Sequence, residues 1–141
     1  MKNSQNIEKL IYTGKTRTTG GRIGNAKSSD GQLEIILSTP GSKERGTNPE
    51  QLLAAGWSAC YIGALGLAAK GAGITLPNDI YVDAEIDLVT IATAFQLQAR
   101  LKVDLPGIAP EIAEHLFETA HQICPYSKAL HGNIPITTIL I

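Results

Sequence analysis

The 141-residue chain reads as a single α+β domain, residues 1–141, with antiparallel sheet packed around a buried central helix and a second helix. Three observations predict this class. An uncharged stretch of helical length lies between Glu50 and Lys70. Residues 80–89 and 95–104 alternate apolar and polar side chains with the period of half-buried strands. Pro110 opens a further segment in which Ile112, Leu116, Ala120 and Ile123 recur at helical spacing.

Taken in order, residues 7–13 are expected to form a first strand. The segment that follows ends in Gly20-Gly21-Arg22-Ile23-Gly24, where three glycines permit close backbone approach around one arginine. Asp30-Gly31 signals a hairpin turn, after which Leu33, Ile35 and Leu37 alternate with Glu34, Ile36 and Ser38. A polar loop, 40–47, then delivers the chain to the central helix.

That helix has a legible start and stop. Asn48 is a strong N-cap residue, Pro49 suits the first helical position, and Glu50 faces the positive end of the helix dipole. Lys70 followed by Gly71 and Gly73 marks the end. Apolar residues lie on every face, so the helix is expected to be buried on all sides. Its uncharged run approaches the ~20 residues that cross a bilayer. Its Ala, Gly and Ser content, and the half-buried strands that need a helix to pack on, point to a core element and not to a membrane span.

Beyond the helix, the two alternating segments are joined through 90–94 as a hairpin, and Pro106-Gly107 ends the pair. Pro125 breaks the second helix just after Cys124, a short turn covers 126–130, and a closing strand runs over 134–141. The order is β-β-β-α-β-β-α-β.

Composition excludes some classes of partner. Lys+Arg total 12 and Asp+Glu 13, a net charge of −1, which gives no reason to expect nucleic acid. Met1-Lys2-Asn3-Ser4-Gln5-Asn6 lacks a following apolar region, so no signal peptide is expected and the cytoplasm is favoured. In that reducing compartment two cysteines are a redox pair, metal ligands or inert core thiols.

Each of those readings has its residues. Free cysteine is among the most buried residue types, so Cys60 in mid-helix fits simple packing. Cys124 lies at a helix break with polar Tyr126, Ser127 and Lys128 after it, a setting in which a thiol is able to move. A zinc site would draw on His121, Cys124, His131 and Cys60, but no CxxC-type spacing supports it. Gly20 to Gly24 opens no helix and forms no phosphate loop, and no Gly-x-Ser-x-Gly elbow is present. His115 carries no signal beyond an ordinary imidazole.

Four motifs together resemble the organic hydroperoxide resistance (Ohr) family of the OsmC-like superfamily. They are Gly20-Gly21-Arg22-Ile23-Gly24, Gly46-Thr47-Asn48-Pro49-Glu50-Gln51-Leu52, the helix segment from Ala54 through Cys60 to Leu65, and His121-Gln122-Ile123-Cys124-Pro125-Tyr126-Ser127. The resemblance runs from about Tyr12 to the C-terminus. It implies an OsmC-like fold in an intertwined homodimer, with Cys60 as peroxidatic thiol, Cys124 as resolving thiol, and Arg22 and Glu50 as the pair that activates Cys60. It also implies an organic hydroperoxide substrate, a lipoylated protein or other dithiol as reductant, and no metal, flavin or haem. The chain departs from the family where Thr93-Ala94-Phe95-Gln96 replaces a Gly-Gly-Phe-Gly-like turn. The competing reading is a non-catalytic module that binds an apolar ligand.

Elementary chemistry bears on the same residues. A peroxidatic cysteine reacts as thiolate, and an apolar setting opposes that form. Cys60 is too deep in the helix to draw on its N-terminal dipole, so a cation is required. Arg17, Arg22, Arg45 and Arg100 are the arginines available, and only the resemblance selects Arg22. Glu50 and Cys60 are ten residues apart, about 15 Å along one helix. An arginine touching both a Glu50 and Cys60 therefore needs the Glu50 of a second copy, unless the helix breaks at Gly56. The alternative is that Glu50 serves only its own helix terminus.

Overall fold

A computed structural model describes residues 6–141; Met1 to Gln5, on which the signal-peptide expectation rests, lie outside the described residues. The chain forms two compact units that divide between Asn48 and Pro49.

The first unit holds a three-stranded antiparallel sheet in the order β1 (Thr16–Thr19), β2 (Asn25–Ser28), β3 (Glu34–Ile36). The strand expected over 7–13 does not form: that segment has no regular structure, and Ile7, Leu10, Ile11 and Tyr12 are exposed. An apolar run gains little from extension without a neighbouring strand to take its backbone hydrogen bonds. The turn at Asp30-Gly31 is as expected. Gly31 adopts φ 75°, and the Asp30 carboxylate accepts from Ser28 Oγ at 2.6 Å and from the Gln32 N–H at 3.0 Å, which hold it below its usual range.

The second unit is built on α1 (Pro49–Gly71) and a sheet of β4 (Tyr81–Ile91), β5 (Ala94–Asp104) and β6 (Ile136–Leu140). β4 and β5 pair antiparallel from Tyr81↔Asp104 to Ile91↔Ala94. β6 departs from the expected antiparallel arrangement and pairs parallel to β5. Between them come α2 (Pro110–Ile123) and α3 (Pro125–Leu130), and a helical crossover returns the chain to run in the same direction. The turn expected at 126–130 is thus a short helix.

One face of the sheet, with Ala99, Leu101 and Val103, closes on Trp57, Tyr61 and Leu65 of α1 and on Leu116 and Ala120 of α2. α1 is long and apolar enough to cross a membrane by composition, yet here it supplies the core of its unit. It is not buried on all sides. Gln51, Ala55, Ala59, Gly63 and Leu67 recur at four-residue spacing and are exposed, Leu67 to 60%. The uncharged sequence therefore combines a packed face with an open one lined mainly by small residues.

Candidate active site

Pro125 creates the local geometry around Cys124. Proline lacks the N–H a continuing helix needs and disfavours helical backbone in the residue before it. Cys124 accordingly takes φ −65°, ψ 119°, ending α2 and capping α3. Its N–H still donates to the Ala120 carbonyl at 2.8 Å, and its carbonyl accepts from the Lys128 N–H at 3.0 Å. The residue is a joint between two helices, fixed from both sides.

This joint aims its thiol at α1. Cys124 Sγ lies 3.2 Å from Cys60 Sγ, and both thiols are free. Cys124 is fully buried, while Cys60 is partly exposed. The Cys60 thiol is raised above its ordinary value of 9.0, first by burial and then by Cys124, and only the Tyr126 N–H, bonded to its sulfur, acts in the opposite direction. Folding thus favours the protonated Cys60. The associated stability is complete below pH 9.0 and is lost as pH rises through the elevated folded value.

The other two expected residues have definite places. Arg22 belongs to the first unit, in a 3-10 turn, Gly21–Ile23. That turn depends on glycine: Gly20 adopts φ 72°, and a Cβ on Gly24 would sit 1.8 Å from the Thr19 carbonyl oxygen. Glu50 stands in the first turn of α1. α1 runs without interruption through Gly56, so Glu50 and Cys60 of one chain stay ten residues apart on one helix, about 15 Å by helical rise. The second unit brings Cys60 and Cys124 together.

Residues to which the sequence assigned no catalytic role surround the thiol pair. Trp57 Nε1–H donates to Ser127 Oγ at 3.0 Å, His121 Nδ1 meets Ser127 Oγ at 2.9 Å, and His121 Nε2 meets Thr138 Oγ1 at 2.7 Å. The His121 ring lies 4.6 Å from that of Tyr61. Both His121 nitrogens are engaged by hydroxyls, which leaves neither for a metal. Among the described residues no group of three or more His, Cys, Asp or Glu side chains is placed to hold one. Only the presence of Tyr126 and Ser127 just after Pro125 was a usable signal, since it puts their N–H groups in a first helical turn.

The fold that carries these two thiols is shared with a known class. The pattern of OsmC-like proteins matches residues 40–139, spanning both cysteines. The organic hydroperoxide resistance protein of Xanthomonas axonopodis pv. citri is 42% identical over 94% of this chain and 96% of its own. The crystal structure of the organic hydroperoxide resistance protein OhrB of Bacillus subtilis superposes with a TM-score of 0.84 at 35% identity, covering 94% of this chain and 100% of that one. A protein from Legionella pneumophila described in the same terms superposes at 0.85, with 35% identity over 94% of this chain and 98% of its own. The chain belongs to the OsmC-like family, and within it to the organic hydroperoxide resistance proteins.

Proposed function

We propose that the protein is a thiol peroxidase that reduces organic hydroperoxides to alcohols. The observation that carries this reading is the 3.2 Å approach of Cys60 and Cys124, in a chain whose relatives are named for organic hydroperoxide resistance. The Cys60 thiolate attacks the terminal peroxide oxygen, the O–O bond breaks, and the alkoxide leaves and takes a proton. Cys124 then attacks the Cys60 sulfenic acid, and hydroxide leaves with the Cys124 proton as water. A dithiol of lipoyl type, free or on a protein, reopens the disulfide by exchange.

In this reading Arg22 supplies the cation that Cys60 needs, because guanidinium keeps its charge in a dry site, and Glu50 orients it. The sites are shared between two chains of a homodimer, and the two units of each chain work as one domain. The open apolar face of α1 supports such a partner, as does the unbroken helix between Glu50 and Cys60. The reducing cytoplasm is the compartment that suits the free thiols.

Stopped-flow oxidation with cumene or linoleic hydroperoxide, followed by thiol counting, tests the reading. Loss of two thiols per chain with one alcohol formed is expected. Thiols that survive excess peroxide would instead indicate a non-catalytic module.

A further inference from the structure

The hydrogen bonds around His121 form a single directed chain. Trp57 Nε1–H can only donate, and it donates to Ser127 Oγ. Beside it the Tyr61 hydroxyl donates to the Phe117 carbonyl at 3.2 Å, and the Tyr61 ring lies 4.6 Å from that of His121. Ser127 Oγ already accepts from Trp57, so its own proton goes to its other partner, His121 Nδ1, at 2.9 Å. Thr138 Oγ1 is then the acceptor for His121 Nε2 at 2.7 Å, and His121 carries its proton on Nε2. Ser127 and His121 each have a partner on both sides, and among the described residues no buried side-chain polar atom lacks a partner.

The placement of these links matters more than their number. Trp57 and Tyr61 flank Cys60 on α1. His121 and Ser127 flank Cys124 at three residues on either side, and Thr138 ties both to β6. Ser127 lies in the same first turn of α3 as the Tyr126 N–H that bonds the Cys60 sulfur. We propose that the chain Trp57–Ser127–His121–Thr138, with the Tyr61 ring against His121, is a positioning device that holds the Cys124 thiol on Cys60 for the disulfide-forming step. His121 is its positioning residue and works in the neutral form. The inference rests on the two-thiol reading of the site.

Protonating His121 puts a second donor against Ser127 Oγ, which already accepts from Trp57, and forces the Ser127 proton elsewhere. The groups facing the ring are Glu118 on its own helix, Lys128 and His131 from α3 and its end, and Tyr61 from α1; β6 presents only Thr138 and Ile136. These residues other than Tyr61 line a cavity of about 600 Å³. Burial and His131 hold the imidazole below its ordinary value of 6.5. Below that range the device should loosen.

Reaction with 5,5′-dithiobis(2-nitrobenzoate) separates positioning from peroxide chemistry. The Cys60 thiolate attacks the reagent disulfide and expels one thionitrobenzoate. The Cys124 thiolate then attacks the Cys60 sulfur of the mixed disulfide and expels a second, its own proton having gone to solvent. In Ser127→Ala and His121→Leu the first release should slow at most about threefold and the second at least about tenfold. Trp57→Phe, which removes only the donor end, should show the same split more weakly. In the native chain the second release should fall more steeply with acid below pH 6.5 than Cys124 protonation alone requires, and His121→Gln should lose the extra steepness. An unchanged second release, equal slowing of both, or no extra steepness in the native chain overturns the proposal. The native pH profile decides it even where a variant fails to fold. Should this pattern hold while cumene hydroperoxide leaves Cys60 unoxidised, the peroxidase reading falls and the positioning device stands.

Discussion

Cys124 Sγ meets Cys60 Sγ at 3.2 Å across 64 residues of sequence, and it does so with both thiols reduced. α1 supplies one sulfur from its middle, and the α2–α3 joint supplies the other from a fully buried position. The packing of three helices holds the two thiols side by side while both are reduced.

Cys60→Ser is expected to abolish peroxide reduction, and Cys124→Ser to permit about one turnover and leave Cys60 as sulfenic acid. Cys124→Ala should also lower the Cys60 pKa, because two of the three causes that raise it come from Cys124. Mass spectrometry after a dimedone-type trap, and thiolate absorbance against pH, check these outcomes. Comparable steady-state activity in the two serine variants would refute a two-thiol cycle.

Ala92→Gly should stabilise the protein. Ile91 pairs with Ala94 across a two-residue turn, and Ala92 is held there at φ 55°. A Cβ in the left-handed region costs about 1–2 kcal/mol, partly offset by the extra unfolded-chain entropy of glycine. A net gain of about 0.5–1 kcal/mol, read as a higher urea midpoint, is expected. The Phe95 ring at this tip is 76% exposed.

The polar face of the β4–β5 hairpin predicts an acid response. Arg100 grips both Asp87 oxygens, at 2.7 and 2.9 Å, and Glu85 at 2.6 Å, and Lys102 adds a second contact to Glu85. The Arg100 and Gln98 hydrogen bonds draw Asp87 down to about 2. A depressed carboxylate contributes stability that is present above its ordinary 3.8 and lost as pH falls through about 2. Arg100→Met should therefore move acid unfolding to higher pH, by a smaller margin in high salt because the network is solvated. An acid midpoint independent of Arg100 would count against the network.

Gly24→Ala should act like loss of Arg22. The added Cβ collides with the Thr19 carbonyl at 1.8 Å, so the 3-10 turn that carries Arg22 has to rearrange. If Arg22 activates Cys60, peroxide reduction falls at least about tenfold in both variants. The second thionitrobenzoate release, which reads only the thiol pair, should change little. Full activity in Gly24→Ala with a displaced turn would separate Arg22 from the chemistry.

Much of this was legible before the structure, and the gaps have physical reasons. Asn48, Pro49 and the glycines after Lys70 mark α1 to within a residue, because caps are local chemistry. The β4–β5 alternation is equally local. Residues 7–13 carry a strand-like pattern and form no strand, because a strand needs a neighbour, which no local pattern reveals. The parallel β6 depends on where two helices return the chain. The open face of α1 was hidden because Ala55, Ala59 and Gly63 look the same in sequence whether covered or bare. The four motifs singled out Cys60 and Cys124, but the Trp57–Ser127 bond spans 70 residues and has no periodic trace.

The most consequential expectation is that each active site draws on two chains. Within one chain α1 is continuous from Pro49 to Gly71, so the proposed exception of a break at Gly56 does not arise. A Glu50 carboxylate and a Cys60 thiol on the same helix are separated by about 15 Å of rise, while a guanidinium fork spans only a few ångströms. An Arg22 that touches both must draw its Glu50 and its Cys60 from different copies, and a two-fold dimer would place each Arg22–Glu50 pair beside the partner's Cys60. The competing role for Glu50 is stabilising its own helix N-terminus, worth about 0.3–1 kcal/mol. Mixing inactive Cys60→Ser chains with inactive Arg22→Ala/Glu50→Ala chains distinguishes the two. Shared sites require that each heterodimer regain one working site, approaching half the native activity per dimer. If subunit exchange is verified by mass and no activity returns, each chain carries its own site and Glu50 belongs to its helix alone.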